Sequence, residues 1–396
     1  MARLWSSGFE LNSLTDGVEV TTTGGTVLIS STTVRSGSYS GRVNPTLGSG
    51  SFRYSFGVSG SGVDIVYIRF YLRIASAPNG NLDIFLVNDS GNDVMLGLLL
   101  TTDRILRLWD DFNGVQLGSD SSPLDLDTWY LVEFLQDSTN KANIVGTAKL
   151  NGSQFATGTA NFTGFNSPDQ AFFGTTTPSR TFDIFFDDIA INDSTGSFQN
   201  SWPGEGEIIH LRPNLEGDND DWDGLNGYQE VYEVTPDDAT TFYNTTTLND
   251  IQDEQIDDTP VALASDDTIN CVHVGARFNL NATASGYSFV TRFKKATGET
   301  VSESGNITPT TTTWMTNAIG ASRNYPLTLY QNPDATTITK ATLDTSQIGV
   351  RMSAENGSDD IQISTLWLVV DHKPAEAPAG YGNVFISNKN MLMVGV

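Results

Sequence analysis

Val63-Asp64-Ile65-Val66-Tyr67-Ile68-Arg69-Phe70-Tyr71-Leu72-Arg73-Ile74 alternates apolar and polar residues through its second half. Successive side chains of a strand point to opposite faces, so Ile68, Phe70, Leu72 and Ile74 share one side and Arg69, Tyr71 and Arg73 the other. Pro78-Asn79-Gly80 then supplies turn residues. The same pattern repeats outward. Strands are expected at 82–88, 94–100, 104–109, 129–134 and 182–191, with turns at Asp89-Ser90-Gly91-Asn92 and Asn113-Gly114. No window of this half sustains a helical period. Short strands with turns every roughly 8–12 residues predict a β-sandwich or jelly roll.

The chain has 396 residues, enough for two domains of roughly 150–200 residues each. A linker-like passage at 196–214 contains Trp202-Pro203-Gly204-Glu205-Gly206 and Pro213-Asn214. Beyond it, residues 216–267 hold 16 acidic side chains and no Lys or Arg. Strands resume at 228–234, 268–280, 288–294, 326–331 and 361–370. The expected fold is all-β: a sandwich over 1–200, a second over 206–373, each folding separately, and a C-terminal tail over 374–396. The tail is apolar at Phe385, Met391, Leu392, Met393 and Val394, and is expected to dock as a strand on a neighbouring chain.

A net charge of −26 argues against nucleic acid and anionic membranes as partners, since both select clustered Lys and Arg. A single cysteine, Cys271, excludes an intrachain disulfide and a Cys-rich zinc site. Met1-Ala2-Arg3-Leu4-Trp5-Ser6-Ser7 offers no signal-peptide core, and the apolar run at 94–100 is far short of the roughly 20 residues of a membrane span. The expectation is synthesis in a reducing cytosol, without membrane insertion.

Residues 1–200 resemble the concanavalin A-like, laminin-G-like jelly roll at Gly8-Phe9-Glu10, Ser36-Gly37-Ser38-Tyr39-Ser40-Gly41, Trp129-Tyr130 and Phe186-Asp187-Asp188-Ile189-Ala190-Ile191. The resemblance implies that the late Asp-Asp strand returns beside the N-terminal one. The second half resembles a module of tailed-bacteriophage structural proteins. It does so at Arg212-Pro213-Asn214, Trp222, Gly227-Tyr228, Val231-Tyr232-Glu233, Pro236-Asp237-Asp238-Ala239-Thr240-Thr241-Phe242-Tyr243 and Ala341-Thr342-Leu343-Asp344. That resemblance implies a virion protein.

Several chemistries can be weighed on the residues. The Glu-x-Asp-x-x-Glu strand of jelly-roll glycosidases is missing. Glu133 reads as a solvent-face residue, and Asp187-Asp188 as a turn or strand-end pair or a cation or sugar contact. His210, His273 and His372 are scattered, and Cys271 and His273 share a strand face where packing is the ordinary reading. Asn219, Asp221, Asp223 and Glu230, with Gly224 between, match the oxygen spacing of a calcium loop, although the flanks lack helices. Ca²⁺ is therefore the one cofactor considered, against a solvated acidic loop with Trp222 inward. Sugars present apolar faces and hydroxyls, so Trp109, Asp110, Asp111, Asn113 and Tyr130 are candidate carbohydrate-binding residues.

The resulting expectation is a non-enzymatic phage virion protein, a tail-associated appendage or head-surface decoration. Its partners would be copies of itself, as a trimer, other virion proteins and cell-surface glycans. The alternatives are a carbohydrate-binding adhesin or lectin and, behind it, a glycoside hydrolase.

Overall fold

The computed structural model describes residues 2–14, 20–23, 26–56, 62–224, 227–238, 240–256, 263–281, 286–296, 298–309, 312–316, 327–357 and 359–375. The tail residues Phe385, Met391, Leu392, Met393 and Val394 lie outside the described residues.

The alternation at 63–74 becomes strand Ile65–Ser76, the middle of a wide sheet. Edge to edge, that sheet runs Ser153–Ala160, Ile144–Leu150, Trp129–Asp137, Ile65–Ser76, Asp183–Asp193, Ser40–Val43 and Val27–Ser30. Arg3–Ser7 also pairs antiparallel with Asp183–Asp193, as the jelly-roll resemblance implies. The facing sheet runs Val115–Asp120, Leu106–Asp110, Val94–Leu100, Leu82–Asp89, Pro168–Arg180, Gly48–Ser55 and Thr21–Thr23.

Between the sheets lies an aromatic core. Phe52, Phe173, Phe85, Leu98, Leu108 and Leu117 stand in one cross-strand row. Ile68, Phe70, Leu72 and Ile74 face them from the other sheet and are buried. Ring centroids of Phe52, Phe70, Phe85, Phe173 and Phe186 lie 5.2–5.8 Å apart. Each such side chain contributes about 2–3 kcal/mol by leaving water, so this cluster carries much of the sandwich's stability. The Asn113-Gly114 turn forms as expected: Gly114 takes φ +65° and Asp110 holds the turn by accepting from the Asn113 amide.

The second sandwich pairs a sheet of Glu207–Leu211, Ile361–Lys373, Thr268–Leu280 and Met315–Thr316 with a sheet of Pro213–Asp220, Ile251–Ile256, Gln347–Ala354, Ser288–Lys294 and Val301–Glu303. Tyr243–Thr245 and Leu327–Leu329 extend the first of these. One expected strand is absent. Residues 228–234 form the end of a 3-10 turn, Gly227–Glu230, and the bends after it. Val231 is its anchor in the core, while Tyr232 and Val234 are exposed. Neither sheet offers this segment a ladder partner beyond a single bond, Leu366 N–H to the Val231 carbonyl.

Candidate functional site

The first sandwich has two outer faces, and they differ in fate. The outer side of its eight-stranded sheet is covered. Arg69, Asp187 and Asp188 have no exposed surface. The Arg3 guanidinium pairs with Asp371 of the second sandwich, and Arg69 Nη2 reaches the same carboxylate at 3.3 Å. Ile208, Trp367 and Val369 from the second sandwich join the first core. The linker extends this cover over the middle of the face, while Leu28 and Val145 toward its edges stay exposed: Gly204 N–H donates to Glu133 Oε1 (3.0 Å), and Trp202 packs on Tyr67 and under the Lys149 ammonium at 3.6 Å.

This coverage corrects two sequence expectations. Glu133 is not a solvent-face residue; it is buried and accepts from the linker backbone. Asp187-Asp188 is no turn. The pair sits mid-strand at a bulge, Asp188 at φ +50°, and accepts from Arg35, Ser36 and the Ile208 amide, so it ties the 35–36 loop to the second sandwich.

The seven-stranded sheet presents the other outer face. Across it run Arg53, Phe172, Leu86, Gly97, Trp109 and Gln116 in one row. Beside that row run Asp83, Leu99, Arg107 and Asp120. Trp109 is half-buried, opposite Gly97, over which the Leu86 side chain from the next strand lies. Asp83 stands opposite Leu99, and Asp111 follows Leu106–Asp110 with its amide donating to the Met95 carbonyl, so alternation puts both carboxyls on this outer face. Burial, and then the Asp111 charge, push the Asp83 carboxyl up to about 7. Burial also raises the Asp111 carboxyl. Asp83 Oδ1 is buried and has no hydrogen-bond partner among the described residues. At a value of about 7, Asp83 holds its proton part of the time near neutral pH.

The five candidate sugar-binding residues do not form one constellation. Trp109 and Asp111 share the outer face. Asp110 turns inward and is consumed by Asn113, accepting from its backbone and side-chain nitrogens at 3.0 and 2.8 Å. Tyr130 belongs to the opposite sheet, where its hydroxyl accepts from the Asp125 amide (2.9 Å). Asp83 is the residue that sequence reasoning missed. Its signal was present: a carboxylate between Leu82 and Ile84 on a strand must face outward, away from the core. That it shares this face with Asp111 depends on cross-strand pairing.

The calcium spacing is taken apart by pairing. Residues 213–220 form a strand rather than a loop, so adjacent side chains diverge. Asn219 Nδ2 donates to Asp253 Oδ2 (2.5 Å), Asp221 Oδ2 accepts from the Ile251 amide (3.2 Å), and Asp223 bridges to Asn244 by its backbone. Glu230 is buried and accepts from the Phe242 amide (3.2 Å). Among the described residues, no group of three or more His, Cys, Asp or Glu side chains converges to hold a metal ion. Trp222 is inward, as the loop reading expected. His273 is buried between Ser6 Oγ (3.0 Å) and Thr328 Oγ1 (2.8 Å), and burial with the Arg3 charge drives it down to about 3. Burial pushes the Cys271 thiol up to about 12, which leaves it inert as a nucleophile.

No protein-family model and no curated relative matches the sequence. Among solved structures, the chain is similar to the cellulose-induced protein Cip1, at 18% identity and TM-score 0.39, over 51% of this chain and 100% of that one. It is similar to an endo-β-1,4-glucuronan lyase from the fungus Trichoderma reesei, at 12% identity and TM-score 0.35, over 48% and 95%. It is also similar to a carbohydrate esterase from the Shiga toxin-encoding bacteriophage phi24B, at 18% identity and TM-score 0.36, over 48% and 99%. A domain of an arabinanase aligns over 48% of this chain and 93% of its own length, whereas a sialidase aligns over 39% and 25%. With a lyase, an esterase and sialidases among these neighbours, the expectation that the chain is not an enzyme is withdrawn.

Proposed function

We propose that this chain is a glycan-interacting β-sandwich protein whose ligand lies on the outer face of the seven-stranded sheet. The observation that carries the reading is the half-buried Trp109 on an outer sheet face that also bears Asp83 and Asp111. A sugar ring stacks its C–H face on an indole, and its hydroxyls both donate and accept. A carboxyl raised to about 7 serves both needs according to its protonation. It also holds an available proton near neutral pH, the requirement for general acid–base work on a glycosidic or ester bond. Binding of the intact protein to an oligosaccharide array, with reducing-end and acyl-release assays on the hits, tests both levels. Trp109→Ala and Asp83→Asn should each weaken binding. Array binding that neither substitution alters would overturn the site, and no binding would overturn the reading.

The finer part of the proposal is location: a virion component of a tailed bacteriophage, appendage or head decoration, assembled as a homo-oligomer with a trimer favoured. Its support is the resemblance of the 212–243 passage to a phage structural module. That passage is a tied unit in this fold. Asp238 receives a two-pronged pair from Arg277 at 2.5 and 2.8 Å, and Thr241 Oγ1 donates to Glu233 and Asp237. Arg212 donates to the Glu233 and Glu10 carbonyls, so the passage also reaches the first sandwich. Light scattering of the purified chain and immunogold labelling of particles test this part. A strict monomer that labels no particle would overturn it.

A further inference from the structure

We infer that the second sandwich carries a saccharide-binding site of its own, built from other residues than the seven-stranded face and independent of it. The site lies on the outer side of the sheet formed by Thr268–Leu280 and Ile361–Lys373. Ala276, Phe278 and Leu280 belong to the second core, so Arg277 and Asn279 between them point outward. Register sets Arg277 opposite Thr365, and Thr365 points outward because Leu366 is in the core. Further along that strand, Trp367 and Val369 are taken up by the first sandwich. The Arg277 end of the face is flanked instead by two aromatic rings. Phe242 precedes Tyr243, which is in the core and pairs with Ile363; Trp314 precedes Met315, which packs on the core opposite Phe278. Alternation turns both rings outward. They reach in from opposite margins of the sheet, half-buried, and meet with centroids 6.2 Å apart.

Three polar atoms beside these rings are buried without a hydrogen-bond partner among the described residues: Arg277 Nη1, Asn279 Oδ1 and Thr365 Oγ1. Their residues are 2%, 7% and 0% exposed. Asp238 takes the other two Arg277 nitrogens at 2.5 and 2.8 Å, so the guanidinium charge is answered and one nitrogen remains to donate. Buried polar groups are nearly always paired, because leaving one unpaired is costly; three orphans in one patch mark a place kept for a ligand. Their chemistry names its class. Arg277 donates, Asn279 accepts, and the Thr365 hydroxyl does either, which is what sugar hydroxyls require. The ring pair supplies apolar surface for the C–H face of a sugar. With Asp238 neutralising Arg277, the match is to a neutral saccharide.

The test uses the intact chain carrying Trp109→Ala, which disables the other face, on an array of neutral gluco-, xylo- and arabino-oligosaccharides. Calorimetry and hydrogen exchange read by mass spectrometry follow on the best hit. Binding should persist, and the sugar should slow exchange in peptides covering 241–245, 277–280, 314–316 and 362–366. Adding Trp314→Ala should weaken that binding about tenfold, the loss of an aromatic platform. Asn279→Ala should also weaken it, and keeps the Arg277–Asp238 pair that holds the fold. Melting curves confirm that each variant is folded. A Trp109→Ala chain that binds no sugar on the array would overturn the inference; if the parent chain still binds, the seven-stranded face stands alone as the site. Binding that neither Trp314→Ala nor Asn279→Ala alters, or protection confined to 94–117, would likewise overturn it.

Discussion

Two aspartates on opposite outer sides of the first sandwich show how differently one residue type is used. Asp371 reaches in from the second sandwich against the eight-stranded sheet and meets Arg3 and Arg69. Burial alone would push it up, but the two guanidinium charges and the Asn270 amide hold it well below the usual carboxylate range. Asp83, on the seven-stranded sheet, has no ion pair among the described residues, and burial, then the Asp111 charge, drive it up to about 7. The first arrangement removes a face from water and fixes a neighbour on it. The second keeps an uncompensated carboxyl at a half-open surface. Stability does not require the second, which is why it marks the ligand side of the sandwich.

The junction should give the largest response. Asp371→Ala leaves Arg3 and Arg69 buried without their shared counter-ion, and loss of one partner of a buried pair costs about 3–5 kcal/mol. Chemical denaturation should show that loss at pH 7. The pH dependence has a definite sign. A carboxyl whose folded value is depressed contributes stability above its unfolded value, about 4. The contribution fades as pH falls below that point, so the difference between the variant and the parent should shrink toward pH 2. A loss below 1 kcal/mol at pH 7 would mean the junction is wet, and the contrast between the two faces would collapse.

The two sandwiches can also be parted. The fragments 1–200 and 206–375 are expected to fold separately, because each has its own apolar cluster. Each should melt several degrees below the intact chain, since Ile208, Trp367 and Val369 leave the first core and Arg3, Arg69 and Glu133 lose their cover. Far-UV melting curves check this. A fragment 1–200 without a cooperative transition would show that the covered face is a condition for folding.

Much of this was legible beforehand. The alternation at Ile68, Phe70, Leu72 and Ile74 named the inner face of the central strand, and 94–100, 268–280 and 288–294 were found with their boundaries. Strands with little apolar contrast were not seen. Ser153–Ala160 and Pro168–Arg180 are rich in Gly, Thr and Ala, and pairing with neighbours rather than their own pattern makes them strands. Site legibility failed for the same reason. Trp109 and Asp111 could be suspected from composition, but Asp83 lies 28 positions before Asp111, and only the pairing of three strands puts both on one face. The calcium spacing failed conversely: a pattern that fits a loop is harmless once edge pairing with Ile251–Ile256 extends the chain.

On the ligand side, Trp109→Ala should reduce glycan affinity about tenfold, near the 1–1.5 kcal/mol typical of an aromatic platform contact. Its effect on melting should be small, because the indole is half-exposed and outside the core cluster. Calorimetric titration of the best neutral ligand, beside a melting curve of the same preparation, separates the two effects. An unchanged affinity would move the ligand off this face.

The smallest effect belongs to Asp83→Asn, and its value lies in its sign. A carboxyl raised in the folded state binds its proton more tightly there than in the unfolded chain. Its stabilising contribution is therefore complete below the unfolded value, about 4, and is lost as pH rises through the folded value near 7. The parent should lose stability across that window through this group, and Asp83→Asn, which cannot ionise, should flatten that part of the profile. At pH 8 the variant should be more stable by about 1 kcal/mol at most, because the half-open position lets water screen the pair. Asp111 and Arg180 are the groups whose charges act on Asp83 from neighbouring elements, and the substitution leaves both in place. Melting curves at unit intervals from pH 4 to pH 8 give the result. A variant destabilised at pH 8, or a parent profile that rises steadily through this window in parallel with the variant, would mean that the Asp83 carboxyl is not raised and that the outer face is no different from any other acidic surface.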